Sequence, residues 1–279
     1  MNEIDLAIGR IRYRDEGAGP PIVFVHGVFV DGSLWRPVTE RLRGEFRCIT
    51  PDWPLGAHTV PSRPGADVSP RGVARAIAEF LDALDLRNVT CVANDTGGAI
   101  TQLLLADGCD RVGQVVLTPC DSFDNFLPRS IRILQYVPRI PGLLAAGAQL
   151  MRPRLVQELT YRTLAKKPIP PETMRAWMRP FITDPAVRAD VGGFLRAIDD
   201  ADTLAAAERL AGFTAPVLLL WPRNAPFFPY AHAQRWAQIL PNARLVEVPD
   251  SYTFVCRDQP DFVAGEIVGF AREYAVGPR

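Results

Sequence analysis

An aspartate lies where an apolar strand is predicted to run straight into a helix. The segment Cys91–Ala99 reads Cys-Val-Ala-Asn-Asp-Thr-Gly-Gly-Ala, with Asp95 at its centre. Ala93 and Gly97 flank Asp95 with the small side chains that a strained strand-to-helix turn requires. The turn would push the carboxylate into a pocket at the positive end of the helix dipole. That carboxylate could attack carbon or move a proton, and the simpler alternative is that it only caps the helix.

A second feature of this kind lies upstream, where His26-Gly27-Val28 closes an apolar run. In such a turn the Val28 N–H can point toward a developing oxyanion, and the Thr96 N–H is the expected second donor. The two turns together predict an oxyanion hole formed by Val28 and Thr96 beside Asp95.

Strands and helices alternate along the chain on both sides of one long gap. This alternation predicts an α/β fold with a mainly parallel sheet of about eight strands. The first two strands form a hairpin around Gly9. The predicted strands are 4–8, 10–14, 21–26, 46–50, 89–93, 112–117, 216–221 and 244–248, and the predicted helices are 33–42, 70–84, 97–107, 230–240 and 260–274.

The gap, residues 121–210, is predicted to be a helical cap inserted into a core formed by residues 1–120 and 211–279. A cap there would lie over the carboxyl edge of the sheet, where α/β folds place their ligands. Its helical stretches are predicted to be broken by prolines at Pro128, Pro138, Pro141, Pro153, Pro168, Pro170, Pro171 and Pro180.

The strand order, the His-Gly turn, the elbow at Asp95 and the cap resemble the α/β-hydrolase superfamily over nearly the whole chain. An aspartate at the elbow is similar to haloalkane dehalogenases, fluoroacetate dehalogenases and epoxide hydrolases, and Leu34-Trp35-Arg36 also resembles the first of these. The resemblance implies the α/β-hydrolase fold and an enzyme acting on a small, mostly apolar organic molecule.

The chain departs from these relatives where each holds its leaving group. The resemblance implies that an Asn after His-Gly and a Trp after the nucleophile bind halide, but this chain has Val28 and Thr96 there. Phe29 replaces the proline typical of epoxide hydrolases. Tyr136 and Tyr161 remain possible cap tyrosines for an epoxide, with a structural role as the alternative.

The acid and the base of the usual triad are also replaced. Trp221-Pro222-Arg223-Asn224-Ala225 matches the stretch that carries the family's acid, and Ala225 occupies its position. Pro249-Asp250-Ser251-Tyr252-Thr253-Phe254 matches the stretch that carries the histidine, and Thr253 occupies that position. Without a base, an ester formed on Asp95 would not be hydrolysed by activated water.

The remaining polar residues offer few replacements. His58, in the loop after a predicted strand, is the candidate for a displaced base, whereas His232 is expected to be exposed. Asp121 is the candidate acid, with Asp124 as its neighbour, although either residue could simply cap a cap helix. The residues expected to line the pocket are His26, Phe29, Trp221 and Thr253.

Three functions remain open at this point. The first is a hydrolase-superfamily enzyme that acts through Asp95 with a non-standard triad. The second is an isomerase, lyase or cyclase that uses Asp95 as acid or base. The third is a binding protein on a hydrolase scaffold, which has no evident need for a strained aspartate.

Composition narrows the choice of partners. The chain has 31 basic and 31 acidic residues, so it lacks the basic excess typical of nucleic-acid binding. No segment reaches the roughly 20 apolar residues of a membrane span, and the start Met1-Asn2-Glu3 is unlike a signal peptide. We therefore expect a cytoplasmic monomer or homodimer with a small-molecule substrate and no nucleic-acid or membrane partner. The five cysteines lack a CxxC pair, and no cofactor or metal is indicated.

Overall fold

Eight strands form one sheet in the computed structural model, which describes residues 1–275. In chain order they are β1 (Asn2–Leu6), β2 (Gly9–Glu16), β3 (Pro21–Val25), β4 (Arg47–Pro51), β5 (Val89–Asp95), β6 (Val112–Cys120), β7 (Val217–Trp221) and β8 (Ala243–Glu247). Across the sheet the order is β1-β2-β4-β3-β5-β6-β7-β8. Only β1–β2 and β2–β4 pair antiparallel among these strands, which confirms the predicted mainly parallel sheet.

Helices cover both faces of the sheet, which explains the apolar runs in its central strands. In β3, Ile22 and Phe24 pack into one hydrophobic cluster, while Val23 and Val25 pack into the other. In chain order the α-helices of the described residues are α1 (Arg36–Leu42), α2 (Pro70–Ala83), α3 (Thr96–Ala106), α4 (Leu143–Leu150), α5 (Arg154–Tyr161), α6 (Pro171–Thr183), α7 (Pro185–Arg196), α8 (Asp200–Leu210), α9 (Tyr230–Ile239), α10 (Val255–Asp258) and α11 (Pro260–Ala275).

Two predicted boundaries need correction. The first hairpin turns at Ala7 and Ile8, because Leu6 already pairs with Gly9 as the first residue of β2. The helix predicted from Ser33 begins as a 3₁₀ turn, Gly32–Trp35, before α1. By contrast, α2 begins as predicted, with the Ser69 side chain accepting a hydrogen bond from the Gly72 N–H.

The inserted segment is helical and lies on the carboxyl end of the sheet. The Trp177 indole N–H of α6 donates to Asp31 and to Ser33, which follow β3. Pro180 does not break its helix as expected, since it lies within α6.

The last helix of the insertion belongs with the core. α8 packs along α3, the helix that follows Asp95. We therefore propose that the cap ends near Asp199 instead of residue 210.

None of the helices within residues 1–275 combines the length and the apolar character needed to cross a bilayer.

Candidate active site

Asp95 occupies a strained turn between β5 and α3. Its backbone has φ 57° and ψ −136°, a region that side-chain-bearing residues rarely adopt. The turn depends on its small neighbours: a Cβ on Gly97 would lie 2.5 Å from the His26 carbonyl oxygen, and one on Gly98 would lie 2.2 Å from Cys120 Cβ. The strained turn holds the carboxylate out of the strand, as an elbow requires.

One carboxylate oxygen of Asp95 is fixed, and the other is free. Oδ1 accepts hydrogen bonds from the Thr96 N–H at 2.6 Å and from the Thr96 hydroxyl at 2.8 Å. Oδ2 accepts none from the described residues, so it is the oxygen available to a substrate. Burial raises the pKa of Asp95 above its usual value, and the two Thr96 hydrogen bonds only partly oppose this effect.

The His-Gly turn lies directly against this carboxylate. A Cβ on Gly27 would lie 2.6 Å from Asp95 Oδ1, so only glycine fits there. Among the described residues the Val28 N–H has no hydrogen-bond partner, whereas the Thr96 N–H is already bonded to Asp95. Of the two donors expected for an oxyanion, Val28 is therefore the one that remains free.

Asp121 is a second carboxyl group beside Asp95, which is itself only partly buried. It follows the end of β6, where Cys120 pairs with Asp95. Its side chain is fully buried, and neither carboxylate oxygen has a hydrogen-bond partner in the described part of the chain. Burial raises the pKa of Asp121 well above the usual value and the negative charge of Asp95 raises it further, whereas the nearby Thr96 hydroxyl opposes this. The arrangement favours the neutral, protonated acid.

Two amide side chains hold these strand ends in place. Gln102 donates to the Asp121 carbonyl at 2.8 Å, and Asn94 donates to the Thr253 carbonyl and the Thr118 hydroxyl, each at 2.8 Å. Neither residue was among the predicted site residues. Their signal was an amide side chain within an otherwise apolar strand or helix, where a polar group needs a partner.

Thr253 lies beside the elbow strand, but it carries no base. It is fully buried, and its hydroxyl has no partner among residues 1–275. At the position of the family's acid, Ala225 is buried and supplies no carboxylate. Position 253 therefore carries no imidazole, and position 225 carries no carboxylate.

The role predicted for His58 as a displaced base has no support in the structure. The Gly56 N–H donates to Nδ1 at 3.1 Å, so Nε2 carries the proton and bonds to Asp190 of α7 at 3.0 Å. Asp190 also accepts from the Ser62 N–H. Both ring nitrogens are thus engaged in holding a loop against the cap, and neither is free to activate water at Asp95.

His26 is structural as well. The Trp53 N–H donates to Nε2 at 2.9 Å, which leaves the proton on Nδ1 to bond with the Gly27 carbonyl. Burial lowers the pKa of His26 to about 4, so the ring stays neutral. Its role is to hold the turn that presents Val28, and its ring nitrogens are not available in the pocket.

The other expected pocket residues have mixed positions. Phe29 packs against Phe181 of the cap, with ring centroids 4.9 Å apart, and its backbone has a positive φ of 61°. The Tyr161 hydroxyl donates to the Phe29 carbonyl at 2.6 Å, so Tyr161 supports this loop and is not free for an epoxide. Trp221 is a core residue, since its indole N–H bonds to the Phe228 carbonyl.

The remaining candidates form no hydrogen bond with Asp95 or Asp121 within residues 1–275. Tyr136 and Asp124 are exposed, and Asp124 pairs with Arg129. His232 is half-buried and packs edge-on against Phe123. No group of three or more His, Cys, Asp or Glu within residues 1–275 is arranged to hold a metal ion.

Known proteins are similar to this chain over most of its length. Residues 22–266 match the sequence profile of the alpha/beta hydrolase family. A curated relative, haloalkane dehalogenase 2 of Mycobacterium tuberculosis, is 30% identical over 272 residues, covering 95% of this chain and 92% of its own. A second, cis-3-alkyl-4-alkyloxetan-2-one decarboxylase of Shewanella oneidensis, is 23% identical and covers 95% and 86%.

A solved structure shows the same fold. The crystal structure of an ancestral haloalkane dehalogenase superimposes with a TM-score of 0.82 and 21% identity, covering 99% of this chain and 100% of the other. At that identity the match concerns the arrangement of strands and helices. The residues around Asp95 determine the chemistry.

Proposed function

This chain belongs to the α/β-hydrolase family, as an enzyme related to haloalkane dehalogenases, and we propose that it transfers protons on a small, mostly apolar carbonyl compound. Asp95 is the base, through its free Oδ2. Asp121 is the neutral acid. The reaction class is isomerisation or elimination instead of hydrolysis.

One observation carries this proposal: Asp95, which is partly buried, lies beside the fully buried Asp121, and no histidine within residues 1–275 bonds to either carboxyl group. Asp95 Oδ1 is bonded only to Thr96, and the two oxygens of Asp121 have no partner within residues 1–275. Neighbouring carboxyl groups whose environments separate their pKa values can serve as an acid–base pair. The charge of Asp95 disfavours a second charge on Asp121.

The proton transfers balance within this pair. Asp95 takes a proton from the carbon next to the substrate carbonyl, while Asp121 gives a proton to the carbonyl oxygen, which yields an enol. The Val28 N–H is free to stabilise charge on that oxygen during the transfer. In isomerisation Asp95 delivers its proton to another carbon conjugated with the enol, while the enol hydroxyl returns its proton to Asp121. In elimination the group on the adjacent carbon leaves with the proton held by Asp95, and the hydroxyl proton again returns to Asp121, so both carboxyl groups are restored.

A covalent route is the second candidate, because Asp95 is also oriented as a nucleophile. Thr96 fixes Oδ1 and leaves Oδ2 free to attack carbon. The haloalkane dehalogenase name of one relative supports this route. The decarboxylase name of another supports chemistry without net hydrolysis on the same scaffold. The covalent route still lacks a base to hydrolyse the ester.

Incubation in deuterated water separates the two routes. We expect a panel of small apolar ketones, esters and lactones to include a compound that gains solvent deuterium in the presence of the enzyme. Asp95→Asn should lower the exchange rate at least ~100-fold, since a general base contributes that much or more. Thr253→Ala and Ala225→Gly should change it little.

Intact-mass spectrometry of the same samples completes the test. Proton transfer predicts an unmodified protein mass. An adduct that accumulates on the native enzyme and not on Asp95→Asn would favour the covalent route. Full activity in Asp95→Asn would refute both routes and place the chemistry on other residues of the pocket.

A further inference from the structure

Most of the large apolar side chains that are exposed on the surface lie in the cap. We call residues 129–167 the outer cap segment. Seven of the ten large hydrophobic side chains that are exposed among the described residues lie in it: Ile133, Tyr136, Ile140, Leu143, Leu150, Leu155 and Leu159. Single exposed apolar residues are ordinary, but a concentration of them marks a surface that binds a protein, a membrane or a ligand.

The short helices of this segment turn their apolar side chains outward. α4 buries only Ala148, and the two preceding 3₁₀ helices, Arg132–Gln135 and Val137–Arg139, bury no residue. In α5 the buried residues are Gln157 and Tyr161, whereas Leu155 is 65% exposed and Leu159 is 56% exposed. Residues two apart on a helix face roughly opposite directions. The leucines of α5 therefore point away from the protein.

The same segment carries a concentrated positive charge. It contains eight Arg and Lys residues and one acidic residue, Glu158, for a formal charge of +7. The rest of the chain, with 23 basic and 30 acidic residues, has a formal charge of −7. The overall charge of zero therefore conceals a strongly polarised molecule.

Some of these basic residues line a groove beside α5. The groove has a volume of about 360 Å³, and its walls include Arg154, Arg162, Lys166 and Lys167. Glu158 also lines the groove and pairs with Arg154, and Lys166 pairs with Asp250. Arg162 and Lys167 are therefore the groove cations without an ion pair within residues 1–275. Unpaired cations next to exposed leucines suit a ligand that is anionic at one end and apolar at the other.

We propose that the outer cap segment binds the surface of an anionic lipid membrane. The exposed leucines and isoleucines would enter the boundary between headgroups and acyl chains, while the groove cations would contact lipid phosphates. Exposed apolar side chains combined with Lys and Arg in one helical segment are the pattern of surface-associated helices. The expectation of no membrane partner rested on the lack of a spanning segment, and surface association needs no such segment.

The charge argues against a second copy of this chain as the occupant. A twofold interface places the same surface on both partners. Here it would bring two segments of charge +7 together, whereas an anionic membrane offers opposite charge. The membrane is therefore the occupant that the charge favours.

Vesicle sedimentation of the full chain tests this inference. We expect the protein to bind vesicles of phosphatidylcholine and phosphatidylglycerol in equal amounts at low salt, to release at high salt, and to bind pure phosphatidylcholine vesicles much more weakly. Binding to neither vesicle would overturn the inference. Equal binding to both would overturn the role of charge.

Variants then locate the surface. Arg139, Arg152 and Arg162 form no ion pair within residues 1–275, and changing all three to Gln should lower binding about fivefold for each arginine removed. The control changes Arg43, Arg87 and Arg209 to Gln, which removes the same charge at the opposite end of the sheet, before β4, β5 and β7. Unlike the test arginines, these three form ion pairs, so their loss also measures the effect of breaking such pairs. Equal loss in both triple variants would contradict the assignment.

A separate double variant tests whether the exposed apolar side chains contribute to vesicle binding. Leu155→Gln with Leu159→Gln should lower vesicle binding at least tenfold without changing the melting temperature, because both side chains are exposed. Sedimentation velocity without lipid provides the other arm. If the native protein is a dimer that this pair converts to a monomer, and vesicles are not bound, the surface joins two copies and the inference is wrong.

Discussion

The Asn94 side chain donates a 2.8 Å hydrogen bond to the backbone carbonyl of Thr253. This bond joins the strand that ends in Asp95 to the loop after β8, where the family's histidine is replaced. Thr253 therefore lies beside the elbow strand, and the missing base does not result from a displaced loop. With Thr253 in that position, the carboxyl groups of Asp95 and Asp121 are the titratable pair that the proposed chemistry uses.

We expect a bell-shaped dependence of the reaction rate on pH. The rate should fall as pH drops through the raised pKa of Asp95, because the base must be charged. It should also fall as pH rises through the pKa of Asp121, which lies well above its usual value, because the acid must be protonated. Asp121→Asn should lower the rate ~100-fold or more and remove the alkaline limb. An unchanged alkaline limb in that variant would exclude Asp121 as the acid.

The same substitution should stabilise the protein. With the folded pKa of Asp121 raised, the native state holds a proton that the unfolded state releases above about pH 4. The free energy of unfolding therefore falls as pH rises from that value through the folded pKa. Asp121→Asn removes this loss, so its melting temperature should exceed that of the native protein at neutral and alkaline pH. The exposed Asp124→Asn is the control and should leave the melting temperature unchanged.

Gly27 should not tolerate a side chain. Gly27→Ala places a Cβ about as close to Asp95 Oδ1 as a hydrogen bond, 2.6 Å, so the elbow or the turn must shift. We expect a loss of stability of about 1–3 kcal/mol and a large loss of activity. Gly44→Ala is the control, because a Cβ there meets nothing within 4 Å. Chemical denaturation of the two variants measures the difference, and equal stability would show that the turn is looser than described.

Haloalkanes should not be turned over. Val28 offers no side-chain donor to a leaving halide, and the Thr96 hydroxyl donates to Asp95. Stabilisation of developing charge is usually a large part of catalysis, so its loss should be decisive. Halide release from haloalkanes and fluoroacetate should not exceed that of Asp95→Asn. Steady release above that control would mean that other donors replace the two missing side chains.

The local parts of this site were predictable, and the distant ones were not. The elbow at Asp95 follows from small residues adjacent in the chain, and the order of the strands follows from their alternation with helices. The interaction that occupies His58 involves Asp190, 132 residues away, and the bond from Asn94 to Thr253 spans 159 residues. No local pattern encodes such pairings. The raised pKa of Asp121 also depends on complete burial, which only the packed fold provides.

The most direct test of the carboxyl pair needs no substrate. Carbon-13 labelling of aspartate side chains lets NMR follow each carboxyl group, at mildly alkaline pH where Asp52, with a pKa of about 7, is mostly charged. We predict one protonated aspartate signal in the native protein, lost in Asp121→Asn and shifted to a lower pKa in Asp95→Asn, which lacks the neighbouring charge. A spectrum in which every aspartate is charged, or a protonated signal unaffected by Asp121→Asn, would contradict the proposed pair.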